Sequence, residues 1–268
     1  MKLIFSLLLF GFAVAARSAD SLEVRQAVTR RDLRCELSGA VPDRVILTVA
    51  NSGDLSVTIA IPAGMICAGA DGTAHLVCLR SAALSIAPGA TAEALVPAAL
   101  LSSKQPPPGK SLHLLDAVEP RLDPLLKKLA DQQDVPRATA QLAVFCLLEN
   151  MTFSGWQKFL SAQRGSEPEK EPHPTPAEVA QAIDALGLVR EVAPERTFAL
   201  ASDGELKLRA LRNPWCRAKA MQLYGIKVTD DASEYGLPNM SQLLHSKPGD
   251  NCPVCRARTE MQKGAGDF

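Results

Sequence analysis

The sequence predicts an α+β protein: an N-terminal antiparallel β-sandwich, then a helical region, then an irregular C-terminal tail. Three observations carry the prediction. Apolar residues recur with a period of two from Ser21 to Leu112, recur three and four apart beyond that, and lose any period from about Thr229. The parts that follow are a signal peptide at 1–16, a sandwich at 21–112, helical segments at 113–163 and 175–227 separated by a Pro/Glu-rich linker at 164–174, and a tail at 228–268.

The leader comes first. Lys2 precedes an apolar run from Leu3 to Ala16, closed by the small residues Ala13-Val14-Ala15-Ala16 and followed by Arg17. This charged start, apolar middle and Ala-x-Ala-like end is the layout of a signal peptide, and the run falls short of the roughly 20 residues a spanning helix needs. Cleavage is expected after Ala15 or Ala16. No later run reaches spanning length, and no cysteine ends the apolar run, so the expectation is an exported, periplasmic or secreted protein without a lipid anchor or a transmembrane segment in the mature chain.

The strands follow. Val45, Leu47 and Val49 alternate with polar or small residues, and after Asn51-Ser52-Gly53-Asp54 the alternation resumes at Leu55, Val57, Ile59 and Ile61. This predicts a hairpin with one apolar and one polar face. Pro62-Ala63-Gly64 ends it, and Pro88-Gly89 joins an apolar run at Leu84 to another at Ala94-Leu95-Val96. Short strands at this spacing suggest a sandwich. The stretches 45–54 and 84–91 together resemble Ig-like β-sandwich modules of exported bacterial proteins. That resemblance covers about a third of the chain and implies a fold without an active site.

Gln105-Pro106-Pro107-Pro108-Gly109 marks the end of the sheet region, because consecutive prolines fix φ and donate no hydrogen bond to a ladder. Asp123-Pro124 reads as a helix start with Leu122, Leu125, Leu126 and Leu129 on one stripe. Asp134 opens a second helix whose centre, Leu142 to Leu148, is apolar on every side and so buried all round. Trp156, Phe159 and Leu160 form a third apolar face after Thr152 or Ser154. Thr175-Pro176-Ala177-Glu178 is a capping box, followed by Val179, Ala182, Ile183 and Leu186 and stopped by Gly187. Ser202-Asp203-Gly204-Glu205 repeats the box before Leu206.

Composition limits the functional classes. With 47 % apolar and 22 % charged residues, and 29 Lys+Arg against 29 Asp+Glu, the chain is neither disordered nor collagen-like nor a coiled coil. Neutral charge argues against nucleic-acid binding, which depends on clustered cations. The basic group Lys207, Arg209, Arg212, Arg217 and Lys219 is spread around its helices and reads as a solvated surface.

Seven cysteines and four histidines supply the reactive groups. Cys252-Pro253-Val254-Cys255 has the spacing of a zinc knuckle, a redox dithiol or a tight disulfide; Arg256 stands where haem attachment needs His. Zinc requires two more ligands, for which Cys216 and His245 are the candidates. Cys67 and Cys78 flank the loop 68–74 between adjacent strands, which makes them a disulfide pair if their Cα atoms approach within about 7 Å. Cys252 and Cys255 are the other disulfide candidates. The odd total leaves one thiol over, and Cys146, in the most apolar helix, is the natural one. His75, His113 and His173 sit in no ligand motif, and Asp230-Asp231 has no acid–base spacing.

No catalytic residue and no cofactor site emerges beyond the zinc alternative. The expected function is therefore a non-enzymatic interaction or envelope-associated protein with an unidentified protein or envelope partner. The alternatives are a zinc-binding or thiol-active protein centred on Cys252 and Cys255, and a hydrolase whose catalytic residues carry no motif.

Overall fold

The computed structural model describes residues 20–39, 43–70, 72, 74–106, 109–132, 134–165, 175–202 and 260. The leader, most of the Pro/Glu linker, the second capping box beyond Ser202, the basic group and the residues Cys216, His245, Cys252 and Cys255 lie outside the described residues.

The α+β class holds, and its β part closes. The strands are β1 (Asp20–Glu23), β2 (Leu33–Gly39), β3 (Arg44–Asn51), β4 (Val57–Ile61), β5 (Ile66–Gly69), β6 (His75–Cys78), β7 (Ala82–Ile86), β8 (Thr91–Leu100) and β9 (Ser111–Leu114). Six of them form a closed barrel in the order β2-β3-β8-β6-β5-β9, and the other three form a separate sheet, β1-β4-β7. Closure follows from the length of β8. Its first part, Thr91 to Pro97, pairs with β3, and its last residues, Ala98 to Leu100, pair with β6. β9 completes the ring by pairing with both β2 and β5.

The alternating runs are strands, but the expected hairpin is not one. Burial alternates strictly along β3 and β4, as the period of two requires. Yet β3 belongs to the barrel and β4 to the three-stranded sheet, so the turn between them is an arch from one sheet to the other. β7 and β8 are joined by a second arch of the same kind. Asn51, 2 % exposed, ties the two together. Its Nδ2 donates to Leu55 O at 2.8 Å and to Ala87 O at 3.2 Å, its Oδ1 accepts from Gly53 N at 3.0 Å, and its backbone N–H reaches Ala90 O at 2.9 Å. A buried amide with this many partners makes crossing between sheets cheaper than folding back as a hairpin.

The helices are α1 (Val24–Ala27), α2 (Asp123–Asp131), α3 (Arg137–Glu149), α4 (Phe153–Gln163), α5 (Pro176–Val192) and α6 (Ala199–Ser202). The stripe Leu122, Leu125, Leu126 and Leu129 is buried, as is every residue of α3 from Thr139 to Leu147. Asp123 lies in the first turn of α2, not at its cap, and α3 starts three residues after Asp134, because Pro136 takes its N-cap position. The Thr175–Glu178 capping box forms with both of its bonds. Gly187 does not stop α5, which continues to Val192. A glycine inside a helix costs about 1 kcal/mol against alanine, and burial of Leu188 and Val189 beyond it outweighs that.

The helical layer docks on the barrel, and one hydrophobic cluster runs from Val45 and Leu47 through Leu100 to Leu142, Phe145 and Leu186. Polar contacts cross the seam, among them Arg80 donating to Gln132 O at 2.9 Å. Gln141 of α3 bonds the backbone of Leu100, Glu149 at the end of α3 accepts from the backbone and hydroxyl of Ser103 and from the hydroxyl of Ser102, and Arg137 donates to Asp43 at 2.7 Å. Phe145, Trp156 and Phe159 form an edge-and-stack cluster that fixes α4 against α3.

Candidate functional site

Two neighbouring thiols lie inside the barrel, on β5 and β6. The two strands pair antiparallel with Cys67 opposite Leu76 and Ile66 opposite Val77. Cys78 is thus two residues further along than the residue opposite Cys67, and the period of two puts both thiols on the same face. The face is the interior one: Cys78 pairs with Ala98 and Leu76 with Leu100 on β8, in the same parity as Val96, which pairs with the buried Val45. Both cysteines are fully buried.

Gly64 shapes the entrance to β5. Its N–H donates to Cys78 O at 2.8 Å, while Cys78 N donates to Met65 O at 2.8 Å, so Gly64 and Met65 together oppose Cys78. This is a bulge whose first position requires φ > 0, and Gly64 has φ +84°. The bulge leaves Met65 beside Cys78 and two residues before Cys67. Met65 is also buried, at 2 % exposure.

The thiols of Cys67 and Cys78 hydrogen-bond to each other. That bond lowers the pKa of Cys67 and, with burial added, raises that of Cys78 well above the ordinary thiol value. Both are free thiols, as are Cys35 and Cys146. The sequence pairing of Cys67 with Cys78 locates true neighbours, but on a diagonal. Diagonal neighbours have Cα atoms about 7–8 Å apart, against roughly 4.4–6.8 Å for a disulfide.

The other cysteines are quieter. Burial pushes the Cys146 thiol up to about 12, which makes it a small apolar group in α3, as its sequence surroundings suggest. Cys35 on β2 is half-buried and also raised by desolvation. The candidate ligands Cys216, His245, Cys252 and Cys255 lie outside the described residues.

Histidine and carboxylate groups do not converge. His113 pairs with Ala68, and Ala68 with His75, so the two histidines flank one alanine on a single sheet face. Among the described residues no three His, Cys, Asp or Glu groups come together as metal ligands. The buried Glu178 is occupied by its capping box and by Gln157 Nε2 at 3.2 Å. Met65 is the residue that sequence reasoning missed. It lies just before β5, where the bulge sets it opposite Cys78.

The fold and these groups together define a β-barrel scaffold with a docked helical layer and an apolar interior that holds the two buried thiols of Cys67 and Cys78. No family model, curated protein or solved structure matches the chain.

Proposed function

We propose that the protein is an exported, non-enzymatic interaction or envelope-associated module, built on a divergent Ig-like sandwich. Export is supported by the three-part pattern of residues 1–16. The Ig-like reading is supported by the separate sheet β1-β4-β7 lying beside antiparallel strands to which it is joined by two arches.

The observation that carries the interaction reading is the outer face of β2, β3 and β8. Arg34, Glu36, Thr48 and Glu93 make it polar, and in its middle Leu95, 43 % exposed, pairs directly with Ile46. An exposed leucine beside a half-buried isoleucine, within a charged, mixed-sign surface, is the composition of a modest contact patch. Beside it, Leu33 to Glu36 pair only with β3 among the described residues, since β9 reaches β2 only at Leu37 and Ser38. Strand addition along that edge is the mode of binding this reading implies.

A photo-crosslinking residue at Leu95, compared with one at Arg121, tests the reading in an intact envelope fraction. A salt-resistant adduct from position 95 alone is the expected result. Equal or absent adducts from both positions contradict it.

A further inference from the structure

We propose that Met65, Cys67 and Cys78 form a buried all-sulfur site for a soft monovalent metal ion, and that Cu(I) is the ion its chemistry selects. The site goes beyond the interaction reading and does not depend on it.

The placement comes from strand geometry. Cys67 and Cys78 are diagonal neighbours on one interior face, and the bulge at Gly64 seats Met65 opposite Cys78. The sulfurs of Cys67 and Cys78 are already in hydrogen-bonding contact. Two sulfurs bound to one ion through metal–sulfur bonds of about 2.3 Å lie roughly 3.8 Å apart at a tetrahedral angle and about 4.6 Å apart in a line. A disulfide needs about 2.05 Å and a shorter Cα separation than a diagonal provides. The diagonal register thus disfavours a bond between the two sulfurs themselves.

The donor set decides which ion. Thiolate and thioether ligands select Cu(I), whereas zinc takes four donors in a tetrahedron and adds nitrogen or oxygen where sulfur runs out. Opposite Cys67 the face carries Leu76, and among the described residues no third His, Cys, Asp or Glu joins the pair. Because all three side chains are sealed from solvent, uptake accompanies folding or a local opening of the β5–β6 hairpin, and release is slow.

The test uses the full chain carrying Cys252→Ser and Cys255→Ser, which removes the tail thiols. The protein is refolded without oxygen in the presence of Cu(I), challenged with the chelator bicinchoninate, and examined by copper-edge X-ray absorption. The expected result is one retained Cu(I) per chain with only sulfur neighbours, and a raised melting temperature. Cys67→Ser or Cys78→Ser abolishes retention, and the volume-conserving Met65→Leu weakens it about tenfold while the fold persists. The proposal is overturned by loss of all copper to the chelator, by nitrogen or oxygen neighbours in the spectrum, by retention unchanged in Cys67→Ser, or by a Cys67–Cys78 disulfide in the isolated protein. If the serine variants fail to fold, the absorption spectrum of the parent and the Met65→Leu titration decide.

Discussion

Gln141 and Leu100 are joined by two hydrogen bonds: Gln141 Nε2 donates to Leu100 O at 2.9 Å, and Leu100 N donates to Gln141 Oε1 at 2.8 Å. The side-chain amide of a helix residue here takes the place of a strand. β3 stops pairing with β8 at Pro97, and Ala98 N still finds Asp43 O at 2.8 Å, but among the described residues no strand meets the next groups on that side of β8. Gln141 meets them, and so attaches α3 to the barrel at the point where the ladder ends.

Removing that amide should be costly. Gln141→Ala leaves a buried N–H and a buried C=O without partners, at about 1–3 kcal/mol each. A loss of roughly 2–5 kcal/mol in urea unfolding is expected, and Gln141→Leu, which fills the space but bonds nothing, should recover only the packing share.

Asn51 has the same importance at the arches. Asn51→Ala deprives Leu55 O and Ala87 O of a donor and Gly53 N–H of an acceptor, which predicts a loss of about 2–4 kcal/mol. Asn51→Asp keeps the acceptor for Gly53 but turns oxygen toward two carbonyls. It should therefore destabilise as well, and more strongly as pH rises and the carboxyl ionises.

Two substitutions should help. Thr139, 1 % exposed, has a hydroxyl without a hydrogen-bond partner, so Thr139→Val should be neutral or stabilising by up to about 1 kcal/mol. Gly187 lies inside α5, and a Cβ there meets nothing within 4 Å. Gly187→Ala should add about 1 kcal/mol, read as an upward shift in melting temperature.

The thiols predict an alkaline limb in the stability profile. Cys146 has its folded pKa raised from 9.0 to about 12, so folding favours its protonated form. That contribution is fully present below the unfolded value and is lost as pH rises from there toward the folded one, at up to about 1.4 kcal/mol per pH unit for each such group. Cys78, also raised, acts in the same direction, and Cys67, lowered by the bond they share, acts against it. Chemical denaturation between pH 8 and pH 11 should show stability falling above pH 9. Cys146→Ala should flatten the fall while lowering stability at pH 8; an unchanged slope would contradict the assignment.

Much of this was legible in the sequence because burial imposes a period. The alternation around Val45 and Val57, the stripe from Leu122 to Leu129, the all-apolar centre of α3 and the Thr175 capping box each encode a local environment, and the structure has it. What the period does not encode is which strand pairs with which. The run from Arg44 to Ile61 reads the same as a hairpin or as an arch, and only the buried contacts of Asn51 with Ala87 and Ala90, far along the chain, choose between them. Gly187 misleads for a related reason, since its neighbours' burial is a tertiary matter. Cys67 and Cys78 were recognisable as neighbours, while their diagonal offset and the part played by Met65 depended on a register set by a bulge.

The functional reading turns on export, and the intact mass of the protein recovered from the cell envelope tests it most directly. A chain beginning at Ala16 or Arg17 is the expected mass. A chain that retains Met1 and stays in the cytoplasm would contradict the reading.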